Sequence, residues 1–198
     1  MRKIYLLMFA LMLCFSMANA QVIEGTVLKS WDGASGSIEI PANVTEIADN
    51  CFYSPAEEDP DTWEVIGEEK SNTNITNIKL NNVKKIGKNA FKGCSNIESI
   101  DAPNVEIVGD EAFARCEKLA TLALPNIKNV GVDAFQDCEQ LKEIALGKSL
   151  TTISGNSFKN CKSLTTISIE DGGGYKALQN AIISPTKTLV YIAGQAKE

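Results

Sequence analysis

The motif Phe-x-x-Cys returns along this chain at nearly constant spacing. Four copies begin at Phe91, Phe113, Phe135 and Phe158, so that the steps are 22, 22 and 23 residues. A period in the twenties with the same apolar positions in every copy is typical of a solenoid, because one coil cannot bury its own apolar face and neighbouring coils must cover it. The spacing therefore predicts a single core made of stacked coils.

A longer skeleton surrounds each motif. The copy at 119–131 reads LATLALPNIKNVG, and the copy at 97–109 reads IESIDAPNVEIVG. Both follow the pattern L-x-x-L-x-L, then a turn, then V-x-x-I-G with conservative replacements. The L-x-L part alternates with a period of two, which predicts a strand with one side facing inward. A short helical turn would then carry the phenylalanine into the core.

Together these features predict a right-handed leucine-rich repeat solenoid of about six coils of 22–23 residues. In fold class this is an α/β protein, rich in β structure, with short helical turns. Proline lacks the N–H that continues a strand ladder, and prolines end three of the predicted strands, at Pro41, Pro103 and Pro125. Glycine follows the V-x-x-I segment in three copies, and we expect positive φ angles there; these residues are Gly87, Gly109 and Gly131.

The cysteines of the motif form a second column, at Cys94, Cys116, Cys138 and Cys161. Coils stack about 4.8 Å apart, which brings the cysteines of neighbouring coils close together. A disulfide and a metal site are therefore alternatives to simple burial. Side chains that point inward in parallel do not face each other for a disulfide and do not converge on a metal. Five cysteines follow the predicted signal peptide, an odd number that argues against a complete disulfide framework. We therefore expect small buried hydrophobes.

The skeleton I-x-I-P-x-x-V-x-x-I-x-x-x-A-F-x-x-C resembles the BspA-type leucine-rich repeat proteins, a family abundant among secreted and surface proteins of Bacteroides and related anaerobes. The resemblance extends from about Gly25 to Ala193. It implies an opening hairpin with Asp32-Gly33 in its turn, and a closing hairpin over about 175–194. It also implies adhesion, that is, a protein-binding surface without a particular ligand.

The first twenty residues have the features of a secretory signal peptide. Arg2 and Lys3 precede an apolar run over 4–15, and small residues end at Ala20. We predict cleavage after Ala20 and an exported protein, either secreted, periplasmic or on the cell surface. A lipid anchor on Cys14 is the less favoured alternative. The apolar run is too short to span a bilayer, so we predict no insertion into the membrane.

Composition narrows the function classes. The chain has no histidine, which excludes the usual Ser-His-Asp and Cys-His hydrolases and histidine-based zinc sites. A formal charge of −6 disfavours binding to nucleic acid, and no nucleotide-binding fingerprint occurs. We predict that the protein is not an enzyme and needs no cofactor and no metal. An enzyme with paired carboxylates is the least favoured alternative.

Residues 21–198 are predicted to form one domain with an insert at 53–74, because Phe52 and Phe91 are 39 residues apart instead of 22. The insert holds Trp63 among acidic residues, namely Glu57, Glu58, Asp59, Asp61, Glu64, Glu68 and Glu69. A solvated loop is the favoured interpretation. One alternative is a recognition loop, with Trp63 as anchor and the acids steering a basic partner. The other is a calcium site, although the acids lack the spacing of a calcium loop.

The outward positions of the predicted strands give two columns on the predicted concave face. The first column is Ser37, Asn77, Ser99, Thr121, Glu143 and Thr166, and the second is Glu39, Lys79, Asp101, Ala123, Ala145 and Ser168. From these and the insert, the candidate ligand-binding residues are Trp63, Asn77, Lys79, Ser99, Asp101, Thr121, Glu143 and Thr166. Plain solvated surface is the alternative interpretation.

The sequence thus predicts an exported, adhesion-type binding module for an extracellular protein or glycan. The alternative is a structural scaffold that self-associates or packs against a partner protein. The oligomeric state does not follow from the sequence.

Overall fold

The computed structural model describes residues 20–59, 61–62, 64–178, 181–186 and 189–192. Residues 1–19 of the predicted signal peptide, including Cys14, lie outside this range, and so does Trp63. The described backbone consists of short strands joined by turns.

Twenty strands are numbered in chain order. The first ten are β1 (Gln21–Glu24), β2 (Val27–Trp31), β3 (Gly36–Glu39), β4 (Glu46–Ile47), β5 (Tyr53–Ser54), β6 (Glu57–Glu58), β7 (Val65–Ile66), β8 (Lys70–Ser71), β9 (Ile75–Lys79) and β10 (Lys85–Ile86). The second ten are β11 (Ser99–Asp101), β12 (Ile107–Val108), β13 (Thr121–Leu124), β14 (Asn129–Val130), β15 (Glu143–Leu146), β16 (Thr152–Ile153), β17 (Thr166–Ile169), β18 (Lys176–Leu178), β19 (Ala181–Ile183) and β20 (Leu189–Ile192).

One wall of the molecule is a seven-stranded sheet in the order β1-β2-β4-β10-β12-β14-β16. The strands pair in parallel, except for the antiparallel pair β1–β2. Each V-x-x-I segment supplies one two-residue strand. The second residue of each strand pairs with its counterpart in the next coil, so that Ile86, Val108 and Val130 form one buried column.

The opposite wall is made of the L-x-L strands. They form two three-stranded parallel sheets, in the orders β3-β9-β11 and β13-β15-β17. Their inward residues, such as Ile78, Leu122 and Ile144, are buried. Because every second residue points inward, the two walls enclose one core. The predicted β-rich solenoid of about six turns is confirmed.

The repeated phenylalanines stack inside this core. The rings of Phe52, Phe91, Phe113, Phe135 and Phe158 lie in one column, with successive centroids 4.8, 5.2, 5.6 and 5.5 Å apart and planes within 16° of parallel. All five are at most 5% exposed. The inward orientation predicted from the spacing is therefore confirmed.

The cysteines lie beside the rings as free, buried thiols. Cys116, Cys138 and Cys161 donate through Sγ to the main-chain oxygen of the phenylalanine in the preceding coil, at 3.3, 3.2 and 3.0 Å. Burial raises the pKa of the Cys116 and Cys138 thiols well above the usual value, so the neutral thiol that donates the bond is the stable form at both residues. The expectation of small buried hydrophobes is confirmed, with a hydrogen bond added.

The predicted short helical turns are wrong, and so is the α/β class, since the described residues contain no helix. Asn89 and Gly93 have φ angles of +53° and +69°. These two residues with left-handed backbone angles are four positions apart and leave only three residues between them. Three residues are too few for one turn of α-helix. Every second N–H instead crosses to the next coil, as from Phe91 to the oxygen of Ala112 at 2.8 Å. The next two coils repeat this with Glu111, Arg115, Asp133 and Asp137.

The expectation of positive φ at Gly87, Gly109 and Gly131 is also wrong. These glycines serve close packing between coils. A Cβ on Gly109 would lie 2.8 Å from the carbonyl carbon of Gly87, and one on Gly131 would lie 2.6 Å from that of Gly109. Where serine takes this position, at Ser154, its N–H bond to the preceding coil lengthens to 3.4 Å, against 2.9 Å at Gly109.

Antiparallel strands lie at both ends of the described chain. At the start β1 pairs with β2, and the turn between them contains Gly25, with φ +62°. The predicted turn at Asp32-Gly33 is therefore not a hairpin turn, because β2 and β3 belong to different walls and these residues turn the corner between them. At the other end, β18, β19 and β20 form an antiparallel sheet in the segment of the predicted closing hairpin.

Candidate ligand-binding surfaces

The structure places seven of the eight candidate residues on the L-x-L wall. Asn77 pairs with Ser99, and Lys79 pairs with Asp101, across β9 and β11. The remaining three candidates, Thr121, Glu143 and Thr166, pair across β13, β15 and β17. Six of the seven side chains are exposed, and Asn77 is half-buried. We call the outer surface of the six strands β3, β9, β11, β13, β15 and β17 the strand face.

Hydrogen bonds fix the polar half of the strand face, on β3, β9 and β11. Ser99 donates to Asn77 Oδ1 at 2.6 Å, and Asn77 Nδ2 donates to Ser37 Oγ at 3.1 Å. Lys79 donates to Glu39 at 3.1 Å. A hydrogen bond from the Asn81 amide and the Lys79 ammonium group hold the pKa of Glu39 below its usual value. These side chains form a shallow depression of about 330 Å³ with fixed donors and acceptors.

The other half of the strand face, on β13, β15 and β17, has a different chemistry. Ala123, Ala145 and Ser168 follow one another across the sheet. With Pro125 and Ile169 they line a depression of about 260 Å³ whose walls are mostly apolar. The strand face therefore offers a polar region next to an apolar one, an arrangement that suits ligands with both kinds of group.

The insert forms a β-hairpin rather than a loop. β5 pairs with β8 at its base, and β6 pairs with β7 near its tip, both antiparallel. At the tip, Asp59 Oδ1 accepts from the N–H groups of Asp61 and Thr62 at 2.8 and 3.0 Å. These two bonds lower the pKa of Asp59. We call residues 53–71 the insert hairpin.

A cluster of charged residues holds the base of the insert hairpin to the turns of the next coils. Tyr53 donates to Glu69 Oε2 at 2.7 Å, and Arg115 donates to the other oxygen of the same carboxylate. Lys92 lies 5.2 Å from the centroid of the Tyr53 ring and pairs with Glu111 at 2.6 Å. We call these five residues the clamp. The bonds from Tyr53 and Arg115 lower the pKa of Glu69.

Arg115 has a φ of +61° in a turn where the equivalent residue of the coil before is glycine. A left-handed conformation costs a residue with a side chain about 1–2 kcal/mol. Arg115 and Arg2 are the only arginines of the whole sequence. The side chain's bond to Glu69 gives a reason for arginine at this strained position.

Raising the pH is expected to break the clamp, because Tyr53 must keep its proton to donate to Glu69. Burial, and next the hydrogen bond to Glu69, raise the pKa of Tyr53 from 10 to about 12. A raised pKa in the folded state means that this stabilisation is complete below pH 10 and is lost as the pH rises through about 12. In a pH titration, the difference in tyrosinate absorbance between the protein and Tyr53→Phe should have its midpoint near pH 12. A midpoint near pH 10 would contradict the clamp.

The described residues do not form a metal-binding group. Nowhere among them do three histidine, cysteine, aspartate or glutamate side chains come together as a metal site requires. This holds for the acids of the insert hairpin whose side chains the structure describes. The described residues also contain no helix with the length and apolarity needed to cross a membrane.

Comparison with known proteins identifies the repeats. Residues 68–188 match the family described as "BspA type Leucine rich repeat region (6 copies)". The chain belongs to the BspA-type leucine-rich repeat family. The resemblance inferred from the sequence skeleton is thereby confirmed. Proteins of this family are typically binding modules.

Several solved structures share the fold, among them those of two leucine-rich repeat proteins. The leucine-rich repeat protein of T. pallidum superposes with a TM-score of 0.58 at 21% identity, over 76% of this chain and 67% of the other. A leucine-rich repeat protein from Bacteroides ovatus gives 0.61 at 24% identity, over 84% and 45%. The pneumococcal vaccine antigen PcpA gives 0.53 at 20% identity, over 92% and 56%. The chain thus spans about half the length of the last two. No curated protein matches it.

One ladder within the BspA-type repeats was missed by the sequence interpretation. Asn104 Nδ2 donates to the oxygen of Asn81, and Asn126 Nδ2 donates to the oxygen of Pro103, both at 2.8 Å. Asn82 makes the equivalent bond to Ala42 at 2.9 Å. The signal was present, because asparagine precedes the first apolar residue of the V-x-x-I segment in successive copies. These asparagines join coils and are not free to bind a ligand through the same amide.

Proposed function

We propose that this protein is an exported, non-catalytic binding module that recognises an extracellular protein or glycan through the strand face. The observation that carries the proposal is the parallel register of β9 with β11 and of β13, β15 and β17, which sets the outward side chains in two ordered columns. Ordered side chains lose little entropy on binding, which favours recognition. Membership of the BspA-type family and the predicted signal peptide support export.

The chemistry of the strand face supports a polar ligand with an apolar part. The chain of bonds through Asn77 and Ser99 presents fixed amide and hydroxyl groups, and the alanines on β13 and β15 leave room for a small apolar group. Cleavage of the signal peptide after Ala20, rather than a lipid anchor on Cys14, is part of this proposal. It would release residues 21–198 as one exported domain.

The test is an array of extracellular matrix proteins and glycans probed with residues 21–198. A ligand of the strand face should bind at least about tenfold more weakly to Thr121→Tyr, because the added ring fills an exposed central position. Lys85→Tyr is the matched control, since Lys85 is an exposed strand residue on the opposite wall. Its binding should be unchanged. Equal binding by both variants, or no ligand on the array, would refute the proposal.

A scaffold that self-associates would behave differently. Its mean particle mass would rise over a concentration series measured by light scattering, and Thr121→Tyr would suppress the rise if the strand face were the contact. A mass that stays constant while the array detects a ligand would favour the binding module.

A further inference from the structure

The insert hairpin carries most of the net charge of the exported chain. The sequence has 19 basic and 25 acidic residues, and two of the basic ones, Arg2 and Lys3, lie in the predicted signal peptide. Between residues 53 and 71 there are seven acids and a single base, Lys70, so the rest of residues 21–198 holds eighteen acids and sixteen bases and is close to neutral. A net charge this concentrated creates a local negative potential instead of a diffuse one.

Most of these charges have no ion pair within the described part of the chain. Glu69 pairs with Arg115 in the clamp, and no other acid of the insert hairpin whose side chain the structure describes, which leaves out Glu58, forms a salt bridge there. On the solenoid, by contrast, Glu39, Glu106 and Glu139 each pair with a lysine. The solenoid therefore pairs part of its carboxylates with lysines, while among the described side chains of the insert hairpin only that of Glu69 is paired.

The insert hairpin also exposes apolar side chains. Val65 is 66% exposed and Ile66 is 46% exposed, two of the five large hydrophobic residues that are exposed in the described chain. Ile66 lies opposite Glu57, and Val65 opposite Glu58. Directly opposite residues point to the same face, and successive residues point to opposite faces. One face of the hairpin therefore presents Ile66 beside Glu57, and Val65 lies on the opposite face.

The hairpin is held to the solenoid at its base. The clamp fixes the base to the turns that contain Lys92 and Arg115, and the two bonds to Asp59 order the turn at the tip. The pair β6–β7 has no third strand on either side among the described residues, so its edges are free to pair with an extended segment. A surface that is already ordered loses less entropy when a partner binds.

We propose that the insert hairpin is a docking site for an extended basic segment of a partner protein, in which lysine or arginine alternates with apolar residues. Pairing along the free edge of β6–β7 would set basic side chains beside Glu57 on one face of the hairpin and apolar side chains beside Val65 on the other. The surface is distinct from the strand face, and its test does not require the ligand of that face. A second copy of this chain is disfavoured as occupant, because two insert hairpins repel each other.

The test uses fluorescent synthetic peptides and anisotropy at low and at physiological salt. A peptide of alternating lysine and valine should bind the protein, and should bind more weakly as salt rises. Peptides of alternating lysine and serine, and of alternating glutamate and valine, should bind at least about tenfold more weakly, since each lacks one of the two complementary groups.

Matched variants separate the hairpin from the rest of the surface. The double variant V65S/I66S should lose at least about tenfold in affinity for the lysine–valine peptide, and E57Q/E64Q should lose most of the salt dependence. Val132→Ser is the control for the loss of an apolar side chain. Val132 is 47% exposed, about as much as Ile66, but it lies on the solenoid. Its affinity should not change.

Three outcomes would overturn the proposal. The first is no binding of the lysine–valine peptide. The second is binding that does not depend on both groups of the hairpin. The V65S/I66S and E57Q/E64Q variants would then leave the affinity unchanged, or the lysine–serine peptide would bind with the same affinity, which would indicate charge attraction alone. The third is a self-associated protein in sedimentation that dissociates in V65S/I66S, which would make a second copy the occupant.

Discussion

Replacing Phe113 by alanine is expected to lower the free energy of unfolding by about 3–5 kcal/mol. The Phe113 ring is 1% exposed, and its centroid lies 5.2 Å from that of Phe91 and 5.6 Å from that of Phe135. Truncation removes the transfer free energy of the ring and leaves a cavity. The flanking rings belong to separate coils and cannot move in to fill it without shifting the backbone. Since coils contact only their neighbours, the loss falls on two coil–coil contacts.

Urea unfolding followed by circular dichroism measures this loss. Val132→Ala is the control, because Val132 is 47% exposed and its truncation should change stability by less than about 0.5 kcal/mol. Phe52→Ala should cost less than Phe113→Ala, since Phe52 ends the column and has one ring neighbour, Phe91. If Phe113→Ala and Val132→Ala gave the same stability, the stacked core would be refuted.

Adding one methyl group at Gly147 is expected to cost about 3 kcal/mol or more. A Cβ there would lie 1.7 Å from the carbonyl oxygen of Pro125 and 2.4 Å from its carbonyl carbon. Both are main-chain atoms of the preceding coil, so no change of rotamer relieves the overlap and the two coils must separate. Gly147 begins the turn of the longer, 23-residue repeat, where the chain passes directly against its neighbour.

The comparison for Gly147→Ala is Gly25→Ala, which separates steric overlap from backbone strain. Gly25 has φ +62° and nothing within 4 Å of the position of an added Cβ. Its substitution should cost about 1–2 kcal/mol through conformation alone. The thermal unfolding midpoint of Gly147→Ala should therefore lie below that of Gly25→Ala. The reverse order would show that the coils are not packed as closely as described.

The stacked core and the register of the strand face could be predicted because two periods act together. The alternation in L-x-L decides which side chains point inward, and the 22-residue repeat decides which residues become neighbours in adjacent coils. Asn77 and Ser99 are 22 positions apart, and the structure pairs them. Whether these two residues bind a ligand stays a prediction, because the strand register determines the position of a side chain and not the ligand that contacts it.

The turns could not be predicted from the same pattern. The helical turns were inferred from the spacing of the phenylalanine and cysteine, which fits one turn of helix as well as the turn that forms. The residues that decide the matter are Asn89, Glu111, Asp133 and Arg115 in the left-handed region, and neither glutamate nor arginine is a usual choice there. The role of Gly109 was missed for a related reason, because close approach between coils is a property of the stack.

The insert could be predicted as an extra segment but not as a hairpin held by a clamp. It has no repeat to fix a register, and Tyr53, Glu69 and Arg115 come together only after the coils have stacked. The acids and the absence of periodicity indicated a solvated loop. Only the cross-strand pairing of Glu57 with Ile66 shows a folded surface.

The junction of the insert hairpin has a consequence for engineering. Asn72 occupies the place of the motif cysteine in its coil, and its N–H donates to the oxygen of Phe52 at 3.0 Å. The same bond runs from Cys94 to Phe91 at 3.1 Å in the coil that has no insert. The coil thus closes across the hairpin as though the intervening segment were absent. Foreign hairpins of other lengths and sequences could be exchanged at this point, which would turn the solenoid into a display scaffold for peptide libraries.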